Sequence, residues 1–293
     1  HLMELFGSEG LLRLAWLHRW IFSENDDFVK MDFGRSFKPQ GSDEELLKYG
    51  ALISDRMRSY GLPEATASFK SILDRAYRQL LEFFEAHLIH HPYLLGGKPC
   101  AADYAVMGAM HAHLGRDPAG LRMMQNHGPR TFRWVEHMMV PEIVSPEFFD
   151  RPVQFLHADE VPETAMAILH CISNLQLESE RTSAGEGFVR DALCFNQAMT
   201  RIDAQPGHQL APENDQPFLP SEVLERDGLE IRHSANLYEL WIAQRAQRHY
   251  QSQAADTQDE IARAIGPGSV LALLQVPVTY PIERVNNRLV LAS

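Results

Sequence analysis

The chain has 293 residues, enough for one large or two moderate domains with a sizeable buried core. Hydrophobic residues make up 45% and charged residues 23%, the balance of a globular protein. A formal net charge of −12 argues against a phosphate-binding surface and so against nucleic acid as a partner, and no apolar run approaches the roughly 20 residues of a membrane helix.

Taken in order, Leu5 to Phe22 reads as an amphipathic helix with Leu11, Leu14, Ala15 and His18 on one stripe. Residues 23–42 are mixed and turn-rich, with Phe28, Phe33 and Phe37 expected to pin a loop to the core. Ser42-Asp43-Glu44-Glu45 is a capping-box start for a helix to about Tyr60, ended by Gly61-Leu62-Pro63. The next helix, about 64–89, carries Phe69, Ile72, Leu73, Ala76, Leu80, Phe83 and Phe84 at core spacing.

Tyr93-Leu94-Leu95-Gly96-Gly97-Lys98-Pro99-Cys100-Ala101-Ala102-Asp103-Tyr104 is the most informative stretch. Gly96 and Gly97 permit a tight reversal, and Asp103 can reach back from three residues past Cys100 to free amides at a helix start. Cys100 occupies the cap itself, where a thiol is a weaker acceptor than a hydroxyl. A nearly wholly apolar helix follows.

Beyond residue 140, Pro141, Pro146, Pro152 and Pro162 break the chain into short pieces. A helix fits Pro162 to Leu177, residues 178–187 read as a surface turn, and Phe188 to Asp203 as a further helix. Residues 204–220 form a Pro-rich irregular connection, and a helix spans about Leu237 to Gln253. From Val276 to Leu291 the pattern is a β-hairpin, with Asn286-Asn287 tolerating the positive φ of a two-residue turn and two prolines marking an edge arm. A lone hairpin is marginal, so it must pack on helices or on a partner.

Fourteen histidines invite a metal reading. His111 and His113 point in different directions on a helix, so they do not share an ion. His87, His90 and His91 share a helix end, where imidazolium suits the macrodipole, and the reading is therefore no metal. No zinc, Walker, dinucleotide or nucleophile-elbow motif occurs. Cys100, Cys171 and Cys194, odd in number and widely spaced, read as free thiols in a reducing, cytoplasmic setting. A helix N-terminus lowers a thiol pKa, but Asp103 opposes this at Cys100.

The stretch from Tyr93 to Tyr104, continued by Ala105-Val106-Met107-Gly108-Ala109-Met110-His111-Ala112-His113-Leu114, resembles the start of the central helix in the C-terminal helical domain of the glutathione transferase superfamily. Cys100 departs from the Ser or Thr usual there. Gly128-Pro129-Arg130-Thr131-Phe132-Arg133-Trp134-Val135-Glu136-His137-Met138 looks like a later helix of that domain. Glu4 to Trp20 looks like its first helix in a bacterial branch with a long C-terminal extension. The likeness is good over residues 4–140 and weaker beyond.

The resemblance implies an all-α fold: a glutathione transferase C-terminal-like helical bundle over residues 4–150, then a mostly helical extension over 151–293 ending in a short β-hairpin. It implies glutathione as cosubstrate, held by a thioredoxin-like half whose pattern is not found in this chain. His1-Leu2-Met3 reads as a remnant ahead of a start codon. The helical half would shape the pocket for conjugation or isomerisation of a small hydrophobic electrophile, and the chain alone would be inactive. Its walls would be Trp16, Arg19 and Trp20 on the first helix, and Tyr104, Met107, Met110 and His111 on the central one. Core packing is the competing role for Trp16, Trp20 and Met107. Arg19, on an apolar helix, needs a carboxylate or an anion, and Asp103 is one candidate. No catalytic residue is assigned. A homodimer is the superfamily's usual state. The alternative is a non-catalytic binding or interaction module that keeps the fold.

Overall fold

The computed structural model describes residues 1–59, 62–140, 142–143, 145–157, 160–175, 183–210, 222–226, 229–233 and 236–292, with 222–233 described by backbone alone. Contacts divide the chain into two bodies, Gly7–Arg181 and His1–Phe6 with Thr182–Ser293. The division falls after α9 because that helix packs on α5 (ranges below), and residues 93–97 pair with 154–156.

A single turn, α1 (Leu2–Glu4), leads into a π-helical turn, Leu5–Gly10, and then α2 (Leu11–Ile21). Leu11, Leu14, Ala15, Leu17 and His18 are buried, as the apolar stripe requires. The expected loop over 23–42 is instead mostly helix, α3 (Asp26–Phe37), after a 3-10 turn at Ser23–Asn25. Asp26 and Asp27 favour a helix start through the macrodipole. Tertiary packing overrides the weak propensity of the stretch. A Cβ on Gly34 would lie 2.0 Å from the Leu46 carbonyl oxygen, and one on Gly50 would lie 1.9 Å from that of Lys30. Glycine at both positions lets α3 and α4 (Asp43–Arg58) cross backbone to backbone. Phe28 and Phe37 are exposed rather than set in the core, Phe28 under the Arg116 guanidinium at 5.7 Å, whereas Phe33 stacks on Trp20 at 6.0 Å.

The Ser42–Glu45 capping box starts α4 as its sequence requires. Gly61, expected in the stop, lies outside the described residues. Thr66 caps α5 (Ala67–Leu88), whose Leu73, Tyr77, Leu80, Leu81 and Phe84 form the centre of this core. Around it pack α2, α7 (Pro118–His127), α8 (Pro129–Met138) and α9 (Glu163–Ser173). Between α5 and α7 runs α6 (Ala101–Ala109), continued by a second π-helical turn, Met110–Leu114.

In the C-terminal body α10 is Ala184–Arg201, starting earlier than expected because Ser183 and Glu186 form a capping box. Strands β1 (Glu222–Arg226) and β2 (Leu229–His233) pair antiparallel, a hairpin the sequence reading missed. The helix α11 (Leu237–Gln251) is followed by α12 (Ala255–Ile265) and α13 (Ser269–Gln275), which fall in the expected mostly helical extension although the sequence does not delimit them singly. The C-terminal hairpin is present as β3 (Ile282–Val285) and β4 (Arg288–Leu291), with Asn286 and Asn287 at φ 50° and 61°. It packs on α11, burying Ile282 and Leu291. Residues 207–210, within the expected irregular connection, run along β4 through backbone hydrogen bonds. Phe6 meets Phe188 edge-on at 5.3 Å, and Glu4 pairs with Arg245 at 2.8 Å.

Candidate functional site

The start of α6 is built by one carboxylate. Asp103, fully buried, accepts the Leu94 and Cys100 amides at 2.9 Å each and the Cys100 thiol at 3.1 Å. That single side chain ties the 93–100 loop to the helix it opens. The loop's other anchor is His87, also fully buried, between Thr164 Oγ1 at 2.8 Å and the Tyr93 carbonyl at 3.1 Å. Burial, and only then the Asp103 charge, pushes the Cys100 thiol up to about 11, so it is a poor nucleophile at neutral pH. His87 is held near 4 by burial, which makes it a neutral pin rather than the macrodipole's cation.

Arg19 finds a different carboxylate from the one anticipated. Its Nε and Nη2 donate to Asp117 at 2.7 and 2.8 Å, and Nη2 also donates to the Ala112 carbonyl at 2.6 Å. Asp103 is already committed to its own amides and lies outside this pair. Asn25 completes the cluster: its Nδ2 donates to the His18 and Arg19 carbonyls at 2.9 and 3.1 Å, and its Oδ1 accepts the Ala119 amide at 2.9 Å. The Arg19 guanidinium lies over Phe33 at 5.8 Å. Nε and Nη2 together make three hydrogen bonds within the protein, so Arg19 serves the fold. Its partner was unreadable because 98 residues separate the pair.

The other sequence-derived candidates divide by depth. Trp20, Met107 and Met110 are 4%, 8% and 0% exposed and belong to the core. Trp16 is half-buried under the Arg13 guanidinium at 5.0 Å, Tyr104 is 58% exposed, and His111 is half-buried. Burial, then Arg116, pushes His111 below its ordinary value. Leu12 and Gly108 are exposed on the same two helices, and a Cβ at Gly108 would meet nothing within 4 Å. Thus α2 and α6, which pack together, carry an outward set (Trp16, Tyr104, His111) and an inward set (Trp20, Met107, Met110). Gly7 is seated on Val106, where a Cβ would come within 2.8 Å, and α6 itself passes into a π-helical turn; such turns are frequent at functional sites.

Two clefts in the same body had no sequence signal beyond their histidines. A smaller one, about 180 Å³, has Leu88, Trp134 and Phe148 in its walls with Arg130, Arg133 and His137 at its rim. A larger one, about 600 Å³, is lined by residues 90–92 and 96–97 on the one hand and by 151–152, 154–157 and 160 on the other. Among the described residues no three His, Cys, Asp or Glu side chains are grouped to hold a metal ion. No helix among the described residues is long and apolar enough to cross a membrane.

Comparison with protein-family models, with curated proteins and with solved structures gives no match.

Proposed function

We propose that this chain is the helical part of a glutathione transferase-like protein, and that the outward side chains of α2 and α6 form one wall of a pocket for a small hydrophobic electrophile. The observation that carries the reading is the Asp103 clamp. A buried carboxylate three residues past the cap fixes a Gly-Gly loop to the opening of an apolar central helix. This is the arrangement that the stretch from Tyr93 to Tyr104 resembles at the level of sequence. Trp16, Tyr104 and His111 give that wall two aromatic surfaces and one polar group, a composition suited to apolar ligands. Arg19, Trp20 and Met107 support it from beneath. The reacting thiol would be that of glutathione, held by a thioredoxin-like half, and pairing of two copies is part of the same proposal.

A binding role without chemistry is favoured by one observation: the Cys100 thiol, at the start of α6, sits at about 11 and is tied to Asp103. The experiment is fluorescence titration of the full chain with 8-anilinonaphthalene-1-sulfonate, alongside calorimetric titration with glutathione. The proposal expects saturable dye binding that weakens about tenfold in Trp16→Ala and in Tyr104→Ala, and no heat from glutathione. Dye binding indifferent to both substitutions would remove the wall. Saturable glutathione heat would place a thiol-peptide site on this chain itself.

A further inference from the structure

The larger cleft is framed by backbone. The Gly97 amide donates to the Gln154 carbonyl at 2.7 Å, and the Leu156 amide donates to the Leu95 carbonyl at 2.9 Å. Gly96 sits at φ +120°, and a Cβ on Gly97 would lie 2.0 Å from the Pro152 carbonyl oxygen. Only glycine permits this approach, so the cleft has a fixed floor with little room to shift. His90 and His91 project from one side, and Arg151, Gln154, His157 and Glu160 line the other.

The two clefts differ in how their arginines are satisfied. In the smaller one Arg130 pairs with Glu85 at 3.2 Å and Arg133 pairs with Glu147. In the larger one, no described carboxylate pairs with Arg151, although Glu160 lines the same space. Burial first, then the charge of Arg151 and the proximity of His90, disfavours a proton on His91, which also stacks on the neutral His87 at 5.1 Å. Arg151 and three histidines, His90, His91 and His157, therefore share one space with a single described carboxylate, that of Glu160. The guanidinium repels a cation, whereas it offers a planar fork to phosphate oxygens. The backbone does not compete for the ligand, because the His90 and His91 amides are spent on the His87 carbonyl at 3.0 Å each.

We propose that this cleft binds a small phosphate monoester, its dianionic head against Arg151, His90 and His91 and its hydroxyl-bearing remainder against Gln154 and Glu160. A cleft of about 600 Å³ holds such a molecule with space for ordered water.

The test is titration of the full chain with inorganic phosphate and with glycerol 1-phosphate at constant ionic strength, read on the imidazole NMR signals of His90, His91 and His157. Saturable shifts are expected, tighter for the ester. Arg151→Gln, a change at an exposed residue, is expected to weaken binding about tenfold or more. Arg133→Gln in the neighbouring cleft is expected to leave binding unchanged. Shifts that rise without saturating, or an affinity untouched by Arg151→Gln, would overturn the site. Tighter binding of inorganic phosphate than of the ester would overturn the assigned ligand class. Zinc moving the same signals while neither phosphate does would make it a cation site instead.

Discussion

Two buried polar networks hold the two bodies, and they use opposite chemistry. In the N-terminal body Arg19 and Asp117 bury a charge pair, 11% and 2% exposed, tied through Asn25 to three backbone groups. In the C-terminal body α11 uses neutral amides. Gln244 brackets the hairpin entrance by donating to the Tyr280 carbonyl at 3.0 Å and accepting the Ile282 amide at 2.7 Å. Gln247 and Gln251 capture the carbonyls of Leu273, Leu274 and Val276 where α13 ends. A charge pair is strong only while both partners remain, because either one alone is an uncompensated buried charge. Amide ladders lose their contributions in small, separable steps.

The largest expected effect is acid sensitivity confined to the N-terminal body. His18 and His87, 1% and 0% exposed, are neutral there with pKa held near 4 by burial. Unfolded imidazole titrates near 6.5, so the unfolded chain binds the extra protons. The stability from each group is full above pH 6.5 and is lost as pH falls toward 4, by about 3 kcal/mol per group at most. His113, half-buried near Arg19, is also held near 4 and acts in the same direction. The described histidines of the C-terminal body, His1, His208 and His249, are exposed. Amide exchange, pulse-labelled at one fixed pH after incubation at pH 4.5 or 7.5, should show residues 67–138 opening in acid while 237–275 stay protected. Equal opening in both would break the contrast.

Next in size is Asp117→Ala, which strands the Arg19 guanidinium and is expected to cost about 3–5 kcal/mol in denaturant unfolding. The double variant Arg19→Met with Asp117→Ala should recover part of that loss. If the single change costs under about 1 kcal/mol, the pair is a surface-like bridge and the comparison fails.

How legible these features were follows from their range in sequence. Ser42–Glu45, the α5 stripe, the Asp103 cap and the Asn286-Asn287 turn are local, and each was readable from spacing alone. The helix α3 was not, since Gly34 and its polar neighbours disfavour a helix until Leu46 and Gly50 of α4 supply a surface that admits nothing larger. Arg19 was singled out correctly as needing a partner, yet Asp117 becomes its neighbour only through the fold. The pairing of β1 and β2 has one local signal in the sequence, Asp227-Gly228; those two residues lie outside the described ones. Arg151 and the clefts carry no periodicity and emerge only when distant loops meet.

On the amide side, Gln247→Ala should cost about 1–3 kcal/mol, because the buried Leu273 and Val276 carbonyls lose a donor that water cannot replace. Urea unfolding followed by a probe on the C-terminal hairpin reads it directly. Gln251→Ala, whose amide donates to the same Val276 carbonyl, should be less than additive with it.

The smallest effect distinguishes Asp103 from Asp117. Asp103 is equally buried but takes only neutral donors, which places it chemically with the glutamines despite its charge. Cys100→Ser puts a stronger acceptor at the cap while keeping a donor toward the carboxylate, and should stabilise by about 0.5 kcal/mol. A thermal scan of the two proteins at pH 7.5 decides it. A loss of stability would mean that the thiol is valued for packing in its half-buried setting rather than as a cap.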